Sequence, residues 1–592
     1  MRKDTLLYYK TLLFLFFSLG IISCDSFLEE DPKGFVLESD IPNTYEGAVS
    51  LVAAPYENWV SRSNLYGRWF LMWETGTDDQ STRDNLARPM DTYLLHKANP
   101  DEPFYYTGIW APLWKGVADC NNSIEVIHQM QTLEEELVQL LKEEDEKDPP
   151  NYDGLTEEQI QILEEKRIFK LLLKVEGMVT DTEKKEIIAE LKVLRALYYY
   201  HLVRMFGDVP KITLPMNQFS ALETVDRADV MEVYEDIIVR DLTEAIEYLP
   251  ETYSSAYKGR FTRTSAFVIL ADVYLTMAGW RYTSNGQLLR GEHKYYSLAM
   301  AAADSVLQNR AGYEIFTQSE TYDNPFEQPW RQFFSKESLV EFGNLSGFGN
   351  GANGEGLIVT SEAMMNQTVN FWGVNLKSFH GGGAGTFIPT PDLYKSFEEG
   401  DLRREFSMLT KGVDASGDSC YNIPLFHKLL DPVIYKGQPG FQRADGNINI
   451  ILYRVADAML IYAEASNEVN GPTIKAYDQV NQLRRRAGLA DLPTGMTKDE
   501  FRKQIWKERR AEFNAEGKRK FDLVRTNRLK QLADATDFYY SSSDNPEWKA
   551  SSPKEDMQVT YIPLPYPIHE YIWPIPRPEM ALHPNWKQNY GY

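Results

Sequence analysis

The stretch 452-LYRVADAMLIYAEASNEVNGPTIKAYDQVNQLRRRAGL-489 decides the fold. Leu452, Val455, Ala456, Met459, Leu460 and Ala463 recur at the three-and-four spacing that lines one face of an α-helix. Asn470-Gly471-Pro472 ends that helix, because Gly accepts a left-handed C-terminal position and Pro cannot continue the hydrogen-bond ladder. Ala476, Val480, Leu483 and Ala487 resume the periodicity, and Gly488 closes it. So short a turn forces the two helices to lie antiparallel, packed through small residues such as Ala456, Ala463 and Ala476.

Working outward, the same periodicity predicts further scaffold helices. Ile187, Leu191, Leu194, Tyr198, Leu202 and Met205 form one stripe, stopped at Gly207. Further helices are expected over 227–248, 264–278 and 295–309, then 498–514 and 518–533. Together they make four helix pairs of the tetratricopeptide type, a mostly α architecture. Between 310 and 450 the array gives way to a segment rich in Gly, Pro and aromatics, with turns such as 347-GFGNGANGEG-356. Long irregular segments on a rigid scaffold are where binding usually resides. Residues 132–185 read as an insertion of two charged amphipathic helices projecting from the body, either a solvated extension or a partner-binding arm. The tail from Asp534 is Pro-rich and expected to wrap the body in extended conformation.

The N-terminus reads as an export signal. Arg2, Lys3 and Lys10 precede 11-TLLFLFFSLGIIS-23, too short to span a bilayer but right for a secretory signal. Ile21-Ile22-Ser23-Cys24 resembles a bacterial lipobox, so residues 1–23 are expected to be removed. Cys24 would then carry the acyl chains, palmitate among them, and 24–40 would form a tether. The remainder, 24–592, is expected to be a single domain. Lys plus Arg number 62 against 86 Asp plus Glu, a net charge of −24, which repels nucleic acid. Of the other cysteines, Cys120 and Cys420 are expected to be buried thiols, although a disulfide between them is compatible with an oxidising compartment.

Catalytic and metal motifs are missing. The eight histidines are dispersed, with no H-E-x-x-H, no G-x-S-x-G and no P-loop, so no metal or cofactor is called for, although the sequence is compatible with a structural calcium. Glu508, Arg509, Glu512, Glu516, Arg519, Asp522 and Arg525 carry opposite charges at helical spacing and read as an ion-pair network, as do Arg454, Asp457 and Glu464. Ligand contacts are sought outside the repeats, where an indole can cover the C–H face of a sugar while charged neighbours bond its hydroxyls. Trp69 and Trp73, with Asp78, Asp79 and Arg83, are the first candidates. Trp280 and Arg281 follow at the end of a scaffold helix, and Trp330 and Trp372 lie in the irregular segment. Trp110 and Trp114 are assigned to the core.

C-D-S-F-L-E-E after the lipobox, 190-ELKVLRALYYYHLVRMFGDVP-210 and 259-GRFTRTSAFVILADVYLTMAGW-280 carry a likeness to a known family. It continues through 454-RVADAMLIYAEASNEVNG-471, 481-NQLRRRAGL-489, 508-ERRAEFNAEGKRKFDLVR-525 and 572-IWPIPRPEMALHPNWKQNYGY-592. Together these motifs make the chain resemble the SusD/RagB family of nutrient-binding outer-membrane lipoproteins. The 132–185 insertion is longer than the family usually carries. The resemblance implies a SusD-like fold and a non-catalytic, surface-exposed protein that captures oligosaccharide or polysaccharide. Its partner would be a SusC-like TonB-dependent transporter, over which it would sit as a lid. A RagB-like peptide binder is the rival within the family. A lipoprotein glycoside hydrolase and a repeat adaptor that binds only protein are rivals outside it.

Overall fold

The computed structural model describes residues 41–60, 65, 72–82, 98–103, 105–215, 218, 224–308, 312–343, 369–371, 374–375, 387–414, 419–429, 449–537 and 565–592. The account below concerns the unit that begins at Thr44.

The helices that build the frame are α1 (Ala111–Gln129), α2 (Leu133–Lys147), α3 (Glu157–Leu172) and α4 (Asp181–Phe206). They continue with α5 (Arg240–Tyr248), α6 (Arg263–Ala278) and α7 (Lys294–Gln308). The last group is α8 (Val455–Asn470), α9 (Ile474–Arg486), α10 (Lys498–Phe513), α11 (Arg519–Arg525) and α12 (Leu529–Ala535). The structure is mostly helical, as expected. Packing follows chain order: α1 lies on α4, α4 on α5, α5 on α6, α6 on α7, α7 on α8, and α8 on both α9 and α10.

α4 shows why this ribbon holds. Thr180 and Glu183 cap its start reciprocally, and Gly207, at φ +74°, stops it. Its second half is buried nearly all round, Arg195 and His201 included, which suits only a helix surrounded on every side. Successive side chains point about 100° apart, so Tyr198, Tyr199 and Tyr200 enter three different interfaces and all are fully buried. Each hydroxyl finds an acceptor: Pro55 O at 2.7 Å, Ile212 O at 2.8 Å and Asp272 Oδ2 at 2.9 Å.

The deciding hairpin forms as expected, with Gly471 at φ +76° and Gly488 at φ +78°. Its start differs. Ile450–Arg454 is a strand, paired antiparallel with Ser338–Phe342, and the helix begins at Val455. The Leu452 side chain fits the helical periodicity, but strand pairing claims its backbone. This pairing draws the two ends of the irregular segment together, so that 343–449 leaves and returns at one place. The segment is also less irregular than expected. Residues 374–375, 369–371, 408–414 and 419–426 form a four-stranded antiparallel sheet in that order. Gln80–Thr82 pairs with Phe387–Pro389. The helix expected over 518–533 breaks into α11 and α12 at Asn527, which takes φ +54°. The described part of the tail, from 565, is not simply extended: it contains a 3-10 turn, Ile568–Tyr571, and a helix, Arg577–Leu582.

The insertion forms two helices. α2 buries no residue and α3 only Leu171. Arg167 ties the pair by reaching Glu144 at 2.9 Å, while Phe169 stays 63 % exposed.

The ion-pair network forms and is larger than the sequence indicated. Glu512 receives Arg403, Arg454 and Arg486. Arg454 also bonds Glu516 at 2.9 Å and Glu337 at 3.1 Å, and Lys428 bonds Glu516 at 2.9 Å. All of these groups are buried. Burial alone would raise the Glu512 carboxyl, but Arg486, Arg454 and Arg403 hold it well below the usual range. Burial pushes Lys428 down to about 8 against the pull of Glu516. The network joins α9, α10 and the Ser338–Phe342 strand region. A second cluster, Arg509–Asp522–Arg525–Glu464, fastens α10 and α11 to α8.

Candidate functional site

Several expected contact residues stand inside the frame. Trp73 is 1 % exposed and its Nε1 donates to Gly517 O at 2.9 Å. Asp78 and Asp79 are buried beneath two arginines: Arg519 grips Asp78 at 2.6 and 2.9 Å, and Arg510 bonds Asp79 at 2.6 Å. Burial would raise the Asp78 carboxyl, yet Arg519 and Arg510 hold it at about 2. Trp330 is 8 % exposed, under Lys428 and Arg454. These four residues therefore present no open surface for the ligand contact expected of them; their short-range partners are internal. Trp69, Arg83, Trp372 and Cys24 lie outside the described residues.

Trp280 and Arg281 keep a different standing. Both are half-buried on the strand Trp280–Tyr282, which pairs with Leu288–Arg290. They line a small hollow of about 50 Å³ with Tyr234 and Phe521. The Arg281 Nε is buried there without a hydrogen-bond partner among the described residues. Trp110 belongs to the core, but Trp114 is only half-buried. Cys120 is buried and forms no disulfide; the Cys420 side chain is not described.

A cleft of about 230 Å³ opens where the chain leaves α5 and enters α6. Leu249 and Pro250 end α5, and a 3-10 turn, Ser255–Tyr257, carries the chain to Thr262, which caps α6. This loop places Tyr253, Tyr257 and Arg260 on one wall. Arg260 is fixed by Glu190 of α4, at 2.6 and 2.9 Å, and donates to the Tyr45 hydroxyl at 2.7 Å. Its guanidinium lies 4.6 Å from the Tyr253 ring centre and 5.7 Å from that of Tyr257. Such stacking holds both rings in place. The Tyr253 hydroxyl is buried with no partner among the described residues, and burial drives its pKa up, so it remains a neutral donor.

Tyr313 and Phe334 also line the cleft. Phe334 takes φ +48°, a conformation that a bulky residue adopts only under constraint. Its backbone N–H is held by both oxygens of buried Glu341, each at 2.9 Å. Gly259, at φ +95°, lets the ring come close: a Cβ there would stand 2.6 Å from Phe334. Rigid aromatic walls with one unsatisfied hydroxyl can stack on an apolar face and bond a polar edge. Glu341 is the sole carboxylate among the described lining residues. Among all described residues no group of His, Cys, Asp or Glu is arranged to hold a metal ion.

None of Tyr253, Tyr257, Arg260 or Phe334 was singled out from sequence. The signal was present in 250-PETYSSAYKGRF-261, two tyrosines four apart before Gly-Arg, immediately after a helix stop.

A helical ribbon that carries aromatic hollows between its helix ends defines a scaffold for ligand capture. Residues 394–592 match the profile described as the SusD family, and residues 161–275 match one described as starch-binding associating with outer membrane. The SusD-like protein P25 of Formosa agariphila is 23 % identical, covering 94 % of this chain and 95 % of its own. The solved SusD homolog from Bacteroides thetaiotaomicron superposes with a TM-score of 0.69 at 21 % identity, covering 94 % of this chain and 98 % of its own. Surface glycan-binding protein A from the same organism, solved with laminarihexaose, gives a TM-score of 0.63 at 18 % identity and covers 92 % and 99 %. The chain is thus similar to SusD-like proteins, through two profiles over separate segments and through relatives along nearly its whole length.

Proposed function

We propose that this chain is a non-catalytic, cell-surface binder of glycans that delivers oligosaccharide or polysaccharide to a SusC-like TonB-dependent outer-membrane transporter. In this reading Cys24 anchors the protein to the outer membrane by lipid, and residues 24–40 lift the body away from it. The observation that carries the proposal is the Tyr253–Tyr257–Phe334 cleft, with aromatic walls and a hydroxyl without a hydrogen-bond partner among the described residues. Support comes from relatives: one similar structure holds laminarihexaose and another is described as a laminarin-binding SusD-like protein. Trp280 and Arg281 supply a further contact, and Trp69, Arg83 and Trp372 are carried forward from sequence as additional ones.

Calorimetric titration with laminarihexaose and a panel of other oligosaccharides and peptides tests this. Binding heat without sugar release is expected. Tyr253→Phe keeps the ring and removes one hydrogen bond, about 0.5–1.5 kcal/mol, so affinity should fall by roughly two- to twelve-fold. Tyr257→Ala removes a stacking face and should cost more. Release of reducing ends by highly purified protein, lost on mutating a carboxylate, would overturn the reading. Heat with peptides alone would favour the RagB-like alternative.

A further inference from the structure

The C-terminal tail closes a second hollow, a groove of about 330 Å³ between the helix Arg577–Leu582 and the start of α1. Its walls are fixed. Asn589 is buried and its amide donates to Phe206 O at 2.9 Å and Trp573 O at 2.7 Å. Trp586 donates through Nε1 to Val225 O at 3.0 Å and stacks on His583 with ring centres 4.0 Å apart. Leu582 at the rim is 62 % exposed.

The lining is mainly aromatic and aliphatic, with Tyr106, Trp114 and Trp586 all contributing. Few polar groups interrupt it. Among the described residues, Trp114 Nε1 is a buried donor without a partner and His583 Nδ1 is likewise unpaired. Glu579 is the sole carboxylate among the described lining residues. Burial pushes its pKa up, against the opposing effect of His583 and the hydrogen bond from Trp110.

The complement of these groups is specific. Aromatic faces beside one carboxylate attract a cation, and the interaction strengthens as the cation is desolvated. An orphan indole N–H asks for one carbonyl oxygen. A basic amino acid residue has what the groove lacks: one cation, one nearby backbone carbonyl and an apolar stem. The net charge of −24 further favours approach by a basic partner.

We propose that this groove binds a basic side chain, arginine foremost, presented by an extended segment of a partner polypeptide. The guanidinium lies against the aromatic faces facing Glu579, and the segment's carbonyl accepts from Trp114 Nε1. The weakly hydrated, planar guanidinium suits an aromatic wall better than an ammonium does.

The test is calorimetry of the chain with acetyl-Gly-Arg-Gly-amide, with its citrulline analogue, which keeps the shape but not the charge, and with laminarihexaose. The arginine peptide is expected to bind at least tenfold more tightly than the citrulline one. Glu579→Gln should abolish that preference, and Trp114→Phe should weaken both peptides several-fold while retaining it. Leu582→Arg places a cation at the groove's own rim on an exposed position, so it should block the peptide while the far-ultraviolet spectrum stays unchanged. Equal binding of the two peptides, no binding of either, or an arginine preference that survives Glu579→Gln would each overturn the proposal. Displacement of the peptide by laminarihexaose, with both lost in Leu582→Arg, would make the groove a glycan subsite instead. The outcome is independent of glycan capture at the Tyr253 cleft.

Discussion

Replacing Arg454 by methionine isolates what the buried charge network does. Arg454 is fully buried and its guanidinium serves three carboxylates, Glu337, Glu512 and Glu516, together with the Glu512 carbonyl at 2.9 Å. Methionine keeps an apolar stem against Phe513 and Trp330 but leaves one cation too few. Breaking a buried pair in this way costs about 3–5 kcal/mol, a hundred- to several-thousand-fold shift in the folding equilibrium. Urea unfolding at pH 7 reads it. The pH dependence is a second readout. The Glu512 and Glu516 carboxyls are held low by arginine and lysine against the effect of burial. They therefore contribute stability above the unfolded carboxylate range, near 4.5, and lose it as the pH falls toward their folded values. Without Arg454 those carboxylates protonate more readily, so the deficit should be largest at neutral pH and shrink below about pH 4.5. Adding Glu512→Gln restores pairing, because Arg486 keeps Glu337, Arg403 keeps Asp401 and Glu508, and Lys428 keeps Glu516. The double variant should then lie above the sum of the singles by about 1–3 kcal/mol. A loss under 1 kcal/mol for Arg454→Met, or strict additivity, would refute the view that these charges are mutually compensated in a dry interior.

Gly259→Ala should both strain the backbone at φ +95° and push Phe334 out of the cleft. A loss of about 1–3 kcal/mol in urea unfolding is expected, with at least a tenfold loss of glycan affinity by calorimetry; unchanged affinity would remove Phe334 from the site. His427 is kept neutral, its pKa lowered to about 3 by burial and then by Arg331. The unfolded chain takes up that proton below about pH 6.5, so His427 makes stability fall between about pH 6.5 and 3. His427→Gln should lower stability at pH 7 and flatten this slope in a urea series; a parallel slope would show that other groups carry it.

The frame was legible because its helices repeat small and apolar residues at a spacing that survives without tertiary context. The 452–489 hairpin, the Gly207 stop and the projecting pair α2–α3 all rest on local propensity and capping, which depend on neighbours in sequence. The charge cluster was legible as structural for the same reason, since opposite charges at helical spacing around Gly517 indicate pairing. Its extent was not. Glu337, Arg403 and Lys428 come from the segment read as irregular and meet α10 only because strand pairing of Ser338–Phe342 with Ile450–Arg454 closes that segment at its base.

Burial is what sequence conveys least. Trp73, Asp78 and Asp79 looked like a sugar platform, with indole, carboxylates and loop context, but α10 and α11 bring Arg510 and Arg519 over them. Tyr253 and Phe334 were missed because their proximity joins two loops about eighty residues apart in the chain. The composition and the helical periods determined a mostly α scaffold with little local chemistry, since both follow from residues acting on near neighbours. Which aromatic rings face a hollow, and which close over an ion pair, is set by long-range packing. Only the tertiary structure decided that.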